Sequence, residues 1–431
     1  MSTTGRDVIL LTAGAMLAVG PRAGARAENW ARFRGPGGLG HTPERDLPIR
    51  WGGKTNENVL WRSALTGQGH ASPIVWEDRV FVCTVHWPAS VSDRKKVIPE
   101  HHVLCYRAGD GRRLWDRTIR PGPWLRTDFR SGPGGGYAAC TPTTDGKLVF
   151  CAFGSSVIAA VDFQGNVAWR NEILPHTFDV TVGSSPVLHG DTVILLCAMS
   201  VKKDSRIVAF RRDSGAVKWQ RTLPTTGFGH GTPILFEVKG KRQMVFAASA
   251  MNTTPDAIQG FDPANGEVLW WARGSGDAAS PAYGGGVVYC DSGRGGPGTA
   301  VDPTGRGDVS ATHVKWTIRN VPSSISSPLI AGGHLYRLHG SHLGCWSLQT
   351  GERIYSEHLK GISSTWASPV ADGSGRIYLA NAGRSYVIQA GEKFKVLAVN
   401  DLGDGSHPSP AVANGRMFLV GAEQVHCVGR K

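Results

Sequence analysis

Histidine and aromatic side chains recur at one point of a repeated pattern. His70, His230 and His407 each lie two residues before a Ser-Pro or Thr-Pro pair, and Trp366 has the same place before another such pair. Imidazole groups bind metals and protons near neutral pH, and aromatic rings line many ligand pockets. These four residues, together with Tyr137, are therefore candidates for a ligand-binding site. The alternative is that loops collect histidine because loops are polar.

The small-residue–Pro pair marks the start of an internal repeat. Each pair is followed by a short β-like run, a turn and a second run, as in "PVLHGDTVILLC", and most repeats then carry a Gly four residues before an aromatic, as in "GAVKW". Four short strands in a period of 40 to 50 residues are typical of a propeller blade. Eight pairs predict an all-β, eight-bladed β-propeller of four-stranded antiparallel blades. The prolines are Pro73, Pro142, Pro186, Pro233, Pro281, Pro328, Pro369 and Pro410.

The last repeat is incomplete, because the chain ends after three of its four strands. "ENVLWRSAL" (57–65) lies upstream of the first repeat, has no blade of its own and carries Trp61 in the pattern of a fourth strand. An unpaired edge strand would leave the ring open. We therefore expect residues 57–65 to complete the C-terminal blade and close the ring.

Ring closure also defines where the candidate site residues lie. In a ring of such blades, the connections that lead into the first strands share one face. His70, Tyr137, His230, Trp366 and His407 are therefore predicted to line the mouth of the central funnel, where they would bind a carbohydrate, a peptide or a metal.

This repeat resembles the quinoprotein-type, or PQQ-like, β-propeller family, whose hallmark is a Gly-x-x-x-Trp docking turn. The match covers residues 57–430, and "ENWARFRGPGGLG" (28–40) resembles the start of an exported subgroup common in planctomycete-type bacteria. The resemblance implies that tryptophans stack on the Gly-bearing turn of the neighbouring blade and lock the blades together. It gives them a structural role and no chemistry. These residues are Trp61, Trp115, Trp169, Trp219, Trp270 and Trp316.

Two branches of that family imply different functions. Quinoprotein alcohol dehydrogenases bind pyrroloquinoline quinone (PQQ) and Ca²⁺, use an Asp base and cover the quinone with two adjacent cysteines. This chain has no Cys-Cys pair, and its acids Asp256, Asp277 and Asp291 match no such ligand pattern. The other branch includes the scaffold lipoprotein of the outer-membrane barrel assembly machinery. The first cysteine here is Cys83, so the sequence offers no lipid-attachment site near its start.

The first residues have the pattern of an export signal. Arg6 precedes an apolar run over residues 8–20, and "ARA" (25–27) has the form of a cleavage site. We expect a signal peptide over 1–27, an N-terminal extension over 28–56 and one propeller domain over 57–431. The alternative is an uncleaved anchor, although the run is short for a membrane span. After cleavage no transmembrane span is expected.

The chain carries a formal net charge of +13 at pH 7. Export makes nucleic acid an unsuitable partner, so an acidic glycan, an anionic lipid headgroup or an envelope protein is expected instead. The alternative is solvated loop charge that aids solubility. Two long loops, 86–102 and 117–137, share basic and aromatic residues and are candidates for a partner surface. We expect a monomer.

Eight cysteines in an exported chain permit disulfides. If Asp145-Gly146 forms a two-residue hairpin turn, Cys140 lies opposite Cys151, close enough for a bridge. The alternative is that both are small buried apolar residues.

Sequence motifs for other enzyme classes are absent or lie in the wrong context. "GPGGLG" (35–40) and "GRGGPG" (293–298) fit the dinucleotide-binding spacing but are not placed between a strand and a helix, so we interpret them as turns. The sequence contains no HExxH, GxSxG, P-loop or CxxC motif. The leading hypothesis is an exported, non-catalytic scaffold. A PQQ-dependent oxidoreductase with a degenerate cofactor site and a polysaccharide-binding propeller are the alternatives, and the sequence identifies no set of metal ligands.

Overall fold

The structure is a computed structural model that describes Met1 and residues 29–125, 133–173, 183–197, 205–223, 229–248, 257–362 and 366–431. Within these ranges, the chain forms eight antiparallel β-sheets and two one-turn 3-10 helices, Pro36–Gly38 and Pro133–Gly136. Each sheet contains four consecutive strands of a meander, except where noted below. The predicted eight-bladed, all-β propeller is confirmed.

The first four blades follow the predicted repeat in order. Strand β1 (Val59–Ala64) precedes them. Blade 1 contains β2 (Ile74–Trp76), β3 (Arg79–His86), β4 (Glu100–Arg107) and β5 (Arg113–Ile119). Blade 2 contains β6 (Thr143–Thr144), β7 (Leu148–Phe153), β8 (Val157–Asp162) and β9 (Val167–Glu172). Blade 3 contains β10 (Val187–His189), β11 (Thr192–Cys197), β12 (Arg206–Arg211) and β13 (Val217–Thr222). Blade 4 contains β14 (Ile234–Val238), β15 (Lys241–Ala248), β16 (Ala257–Phe261) and β17 (Val268–Arg273).

The last four blades complete the ring. Blade 5 contains β18 (Ala282–Gly284), β19 (Val287–Asp291), β20 (Gly296–Val301) and β22 (Val314–Val321); β21 (Gly307–Asp308) lies between β20 and β22 in the chain. Blade 6 contains β23 (Leu329–Ala331), β24 (His334–His339), β25 (His342–Ser347) and β26 (Arg353–His358). Blade 7 contains β27 (Val370–Ala371), β28 (Arg376–Leu379), β29 (Arg384–Gln389) and β30 (Lys395–Asp401). Blade 8 contains β31 (Ala411–Ala413), β32 (Arg416–Val420) and β33 (Gln424–Gly429).

Blade 8 takes its fourth strand from the other end of the chain. β1 pairs antiparallel with β33, with Trp61 opposite Cys427 and Ala64 opposite Gln424. The predicted ring closure is therefore confirmed, and the closing strand is two residues shorter at its start than predicted.

Second and third strands of the blades are buried on both faces, because each blade packs between two neighbours. β7 and β11 read as continuous apolar runs, and five or six residues of each are fully buried. The outermost strands are much more exposed, as in β13 and β22, because they lie at the solvent-facing rim of the ring. The hydrophobic core therefore lies between blades rather than within one central cluster.

An insertion in blade 5 changes the edge of blade 4. β21 pairs parallel with β17, with Trp270 opposite Gly307 and Trp271 opposite Asp308. Blade 4 thus becomes a five-stranded sheet whose outer edge is covered by its neighbour. The irregular "GRGDVSATHVKW" sequence is explained by this additional strand.

A segment ahead of the propeller crosses the ring at one end of the inner strands. We call residues 29–44 the floor segment. It exchanges two hydrogen bonds of 2.9 Å between Trp30 and Val75 of blade 1, and its Ala31 carbonyl accepts one from Thr144 N of blade 2. It runs on to Ala371 of blade 7, which donates its amide to the Gly40 carbonyl at 2.8 Å. The floor segment therefore spans the ring from one side to the other.

Candidate functional site

The small-residue–Pro pairs build a closed ring of hydrogen bonds at the starts of the inner strands. In every blade, the backbone N–H of the Ser or Thr donates to the side-chain hydroxyl of the equivalent residue in the next blade, at 2.8–3.1 Å. The last bond, from Ser409 N to Ser72 Oγ, joins blade 8 to blade 1. A hydroxyl is required because the buried amide would otherwise have no acceptor. The ring consists of Ser72, Thr141, Ser185, Thr232, Ser280, Ser327, Ser368 and Ser409.

The residue two positions before each pair lies at the mouth, on the side of this ring opposite the floor segment. Four consecutive blades, 6, 7, 8 and 1, have large side chains at these positions, as does blade 4, whereas blades 2, 3 and 5 have Ala or Gly. In blade order, starting from blade 1, the residues are His70, Ala139, Gly183, His230, Ala278, Ile325, Trp366 and His407.

Three of the predicted site residues form one cluster, which we call the mouth cluster: His70, Trp366 and His407. Trp366 and His407 are stacked, with ring centroids 4.8 Å apart and planes inclined by 23°. His70 completes the group at 5.3 Å from Trp366 and 5.7 Å from His407. All three are half-buried. They meet because ring closure makes blades 7, 8 and 1 neighbours.

Burial sets the protonation state of His407 in the mouth cluster. It lowers the pKa of His407 below its usual value, since a charged imidazole is poorly solvated there. The Nδ1 atom of His407 is buried without a hydrogen-bond partner among the described residues. At neutral pH, His407 is therefore a neutral ring that offers a stacking face and an unused polar atom.

His230 lies in blade 4, on the far side of the ring from the mouth cluster. Its backbone N–H donates to the Asp277 carbonyl at 2.7 Å, and its Nδ1 lies 3.3 Å from the Asp277 carboxylate. Arg294 pairs with the same carboxylate. His230 also packs against Gly183, where an added Cβ would lie 2.5 Å from the imidazole Cδ2. The sequence prediction thus named residues from two separate parts of the mouth.

Tyr137 does not lie at the mouth surface. Its side chain is fully buried, in a cluster with Trp87 at 6.1 Å and His101 at 5.9 Å between ring centroids. The 3-10 turn Pro133–Gly136 precedes Tyr137, and the Tyr137 N–H donates to the Gly134 carbonyl at 3.1 Å. The sequence predicted Tyr137 at the mouth because it lies in a long connection between blades. The 3-10 turn in that connection instead directs the Tyr137 ring into the core.

His101 is the most strongly perturbed histidine of this region. It is fully buried, stacks on Phe153 at 4.6 Å and has its Nε2 2.6 Å from Ser155 Oγ. Burial lowers the pKa of His101 to about 3, so the ring is neutral at physiological pH. The role of His101 is therefore to connect blade 1 to blade 2.

Carboxylates around the mouth are already committed to partners. Asp291 receives a bidentate pair of hydrogen bonds from the buried Arg337, at 2.6 and 2.7 Å. Asp404 accepts three backbone N–H groups and His426 Nε2 at 2.8 Å. In the part of the chain that the structure describes, no three His, Cys, Asp or Glu side chains converge as metal ligands. The described residues therefore do not fit the Ca²⁺ and carboxylate set of a quinoprotein dehydrogenase. Asp256 lies outside the described residues.

Five of the six predicted docking tryptophans lie on the Gly turn of the next blade. The indole N–H donates to a backbone carbonyl in that turn for Trp61, Trp115, Trp169 and Trp316, at 2.7–3.0 Å. The turn glycines have φ of +72 to +90° and no room for a Cβ beside the indole, so only glycine suits these positions. The five contacts are Trp61–Gly111, Trp115–Gly165, Trp169–Gly215, Trp219–Gly266 and Trp316–Gly351.

Trp270 departs from this pattern. It is fully buried, donates its indole N–H to Gln243 Oε1 at 2.8 Å and lies over Gly260 of its own blade. The reason lies in blade 5, where the insertion replaces the docking turn that would receive the indole. Its predicted docking on the next blade was therefore wrong.

The predicted register around Cys140 and Cys151 was also wrong. Thr144 pairs with Val149, so the turn centres on Gly146-Lys147, one residue later than predicted. Asp145 causes the shift, since its carboxylate accepts the backbone N–H groups of residues 147 and 148 at 2.9 Å. Cys140 and Cys151 are buried thiols in two different hydrophobic clusters. No disulfide joins them.

The two candidate partner loops are described in part. In the first, Trp87 is mostly buried and donates its indole N–H to Val97 O at 2.9 Å, with Arg94 over its ring at 5.5 Å. In the second, residues 126–132 lie outside the described residues. Trp87 therefore anchors its loop and exposes little aromatic surface.

The sequence analysis missed Arg32 and Arg34, which lie in the floor segment. Both side chains are buried and reach the inner strands: Arg32 Nη2 donates to Pro233 O at 2.7 Å and Arg34 Nη2 to Pro328 O at 2.6 Å. The glycine-rich sequence "FRGPGGLG" (33–40) could have indicated that these arginines are closely packed. A Cβ at Gly38 would lie 3.0 Å from Arg32 Nη2, and one at Gly40 3.4 Å from Arg34 Nη2. These glycines therefore leave room for the two guanidinium groups.

A groove of about 510 Å³ lies on the outer side of the floor segment, against blades 5 and 6. Its lining is mainly apolar and includes Leu39, His41, Tyr283, Ile330 and Leu348. It is separate from the mouth cluster.

The family model described as outer membrane protein assembly factor BamB matches residues 100–233 and 232–390, more than half of the chain. The chain belongs to this family. Among curated protein sequences, none matches this BamB-family chain.

Solved structures share the fold at low sequence identity. BamB from Moraxella catarrhalis is 15% identical, with a TM-score of 0.59 over 86% of this chain and 96% of that chain. A europium-containing methanol dehydrogenase is 12% identical, with a TM-score of 0.67 over 93% and 89%. The computationally designed Ika8 protein is 11% identical, with a TM-score of 0.55 over 86% and 99%. The BamB-family chain therefore shares its propeller fold with both BamB and this methanol dehydrogenase.

Proposed function

We propose that this protein is an exported, non-catalytic propeller that binds protein partners in the cell envelope through the mouth of its funnel. The family assignment supports a role of this kind, because its description is that of an outer membrane protein assembly factor. The mouth cluster supports the location, since it is the place where partly exposed rings of three blades converge.

The single observation that carries the proposal is the stacked Trp366–His407 pair with His70 beside it. A neutral imidazole and an indole present flat, polarizable faces with a polar edge, which suit the side chains of an unfolded or extended polypeptide. Binding of this kind needs no titrating group or bound metal. The large basic charge of the chain would add long-range attraction to an acidic partner.

Export is part of the proposal. Residues 2–28, which include all of the proposed signal peptide (1–27) except Met1, lie outside the described residues. No helix among the described residues is long and apolar enough to cross a bilayer.

The alternative of a PQQ-dependent oxidoreductase has the fold similarity to the methanol dehydrogenase in its favour. Against it stand the engaged carboxylates Asp277, Asp291 and Asp404, which are paired with arginine, histidine or backbone donors. A calcium site would require breaking these pairs, so we derive no reaction step through the quinone.

One experiment separates these two functions. The purified protein is equilibrated with PQQ and Ca²⁺ and assayed for dye-linked alcohol oxidation, and the same preparation is titrated with a fluorescently labelled, unfolded outer-membrane β-barrel polypeptide. We expect saturable polypeptide binding and no turnover. Ca²⁺-dependent turnover without polypeptide binding would overturn the scaffold function.

Polysaccharide binding remains the third function to test, because histidine and tryptophan at the mouth also suit sugar rings. A glycan array with the wild type and His230→Ala tests it, with the exposed His358→Ala as a matched control. Identical profiles without bound glycans for all three proteins would eliminate this function.

A further inference from the structure

Arg32 and Arg34 are two cations inside the ring of blades. Arg34 donates from Nη1 to Pro281 O at 3.2 Å and from Nη2 to Pro328 O at 2.6 Å, while Arg32 reaches Pro233 O. These prolines begin the inner strands of blades 4, 5 and 6. The guanidinium groups therefore lie beside the propeller axis, on the channel side of the floor segment.

Neither guanidinium has a counter-ion among the described residues. Their acceptors are backbone carbonyls, and no described carboxylate forms an ion pair with either arginine. The exposed fraction is 8% for Arg32 and 1% for Arg34. A buried charge without an opposite charge is unfavourable, and truncating one partner of a buried pair is strongly destabilising for this reason.

The two groups also have donor capacity that the protein does not use. An arginine offers five N–H donors in a planar fork. Arg32 makes one hydrogen bond to the described residues, and the Nε atoms of both arginines are buried without an acceptor. Such a pair of forks matches the geometry of carboxylate and phosphate oxygens.

Both arginines are charged at neutral pH despite their burial. Burial lowers the pKa of Arg32 to about 10, and burial together with the nearby Arg32 charge lowers the pKa of Arg34 to about 9. The effect of the Arg32 charge on the pKa of Arg34 indicates that the two guanidinium groups lie close enough to repel each other. A single anion placed between them would therefore relieve both the desolvation and the repulsion.

We propose that Arg32 and Arg34 form an anion-binding site at the axis of the propeller, which takes a small ligand with carboxylate or phosphate groups. The ligand enters from the mouth, because the floor segment closes the other end of the channel. This site goes beyond the proposed scaffold function, and it works whether or not a protein partner binds at the mouth.

The closing role of the floor segment follows from its hydrogen bonds. Besides blades 1 and 2 and the three prolines, it bonds to blade 7 through Gly40 and to blade 8 through Glu44, whose carboxylate accepts Gly415 N at 2.6 Å. It thus joins seven of the eight blades among the described residues. A segment held in this way positions its arginines on a rigid support.

The test is isothermal titration of the full mature chain with inorganic phosphate, sulfate or citrate, in buffer with chloride at matched ionic strength. We expect one site per chain. Arg32→Gln should weaken binding at least tenfold, because Gln keeps a donor for Pro233 and removes the charge. Arg45→Gln, an exposed arginine close to the floor segment, is the matched control and should bind like the wild type.

The relative affinities of the three anions identify the chemical group that the site prefers. Tighter binding of phosphate and sulfate indicates a phosphate group, and tighter binding of citrate indicates a carboxylate. If Arg32→Gln fails to fold, Arg32→Lys replaces it. The expected loss of anion affinity is then smaller, because lysine keeps the positive charge but lacks the planar set of N–H donors of arginine. Heats equal to those of chloride for all three anions, or equal affinity in wild type and the folded variant, would overturn the proposal.

Discussion

The two ends of the central channel are built from different kinds of sequence. The mouth uses equivalent positions of the repeat, so His70, Trp366 and His407 approach each other because their blades are adjacent. The floor uses one non-repeating segment that reaches around the ring and buries Trp30, Arg32 and Arg34. The mouth is half-exposed and the floor is sealed.

This difference separates two tasks of the molecule. Repeated positions can change one blade at a time without altering the fold, because the Ser/Thr hydrogen-bond ring holds the inner strands independently of them. The floor segment contacts many blades at once, and a change there affects the whole ring. We therefore expect substitutions in the floor segment to reduce the stability of the whole ring, and substitutions at the mouth to reduce the binding of the polypeptide partner.

Removing residues 1–66 would test the contribution of the N-terminal region most severely, since it deletes both the floor segment and β1. The exposed edge of β33 and the opened channel should leave an aggregation-prone chain. Size-exclusion chromatography and thermal unfolding compare it with the chain that starts at residue 28. A soluble monomer with unchanged melting temperature would refute ring closure.

Trp30→Ala should lower the free energy of unfolding by about 3–5 kcal/mol, because it removes a fully buried indole of the floor. Trp366→Ala is the matched change at the mouth and should cost about 1 kcal/mol or less. Urea denaturation measures both. Equal losses would remove the distinction between a structural floor and a binding mouth.

His101 should make the free energy of unfolding depend on pH more strongly than His407 does, because His101 is fully buried and His407 is only half-buried. The native pKa of about 3 lies below the unfolded value of about 6.5, so between these values only the unfolded state binds the proton. Stability should therefore fall by about 1.4 kcal/mol for each pH unit below 6.5. Urea denaturation at pH 7 to 4.5 should show a smaller slope in His101→Gln, whereas the exposed His358→Gln should keep the wild-type slope.

Ser409→Ala tests the hydrogen-bond ring that lies between the two ends. The substitution leaves the buried Ser368 N–H without its acceptor and should cost about 1–3 kcal/mol. Ser409→Thr retains the hydroxyl and should cost less. Equal unfolding midpoints for Ala and wild type would show that the ring contributes nothing to stability.

Much of the fold follows from the sequence because the repeat occurs eight times and each copy supports the others. The ring closure followed from one unfinished blade. Features specific to one blade were harder to predict. Trp270 turns inward because the next blade lacks a docking turn. The hairpin turn of blade 2 lies one residue later than predicted because of the hydrogen bonds that Asp145 accepts.

The sequence could predict which residues occupy equivalent positions near the mouth, but not which of them contact each other. Repeat position identified His70, His230, Trp366 and His407, and only the ring order shows that His230 lies apart. Tyr137 was misplaced because its 3-10 turn, rather than its loop, determines its direction. Arg32 and Arg34 belong to no repeat, so periodicity gave no signal for them.

The central claim is that the mouth cluster binds the polypeptide partner. It is tested most directly by the affinity of the Trp366→Ala/His407→Ala double variant for the unfolded β-barrel polypeptide, with His230→Ala as the control on the far side of the mouth. We predict at least tenfold weaker binding for the double variant, an affinity within threefold of wild type for His230→Ala, and a nearly unchanged urea midpoint for both. Wild-type affinity in the folded double variant would contradict the claim.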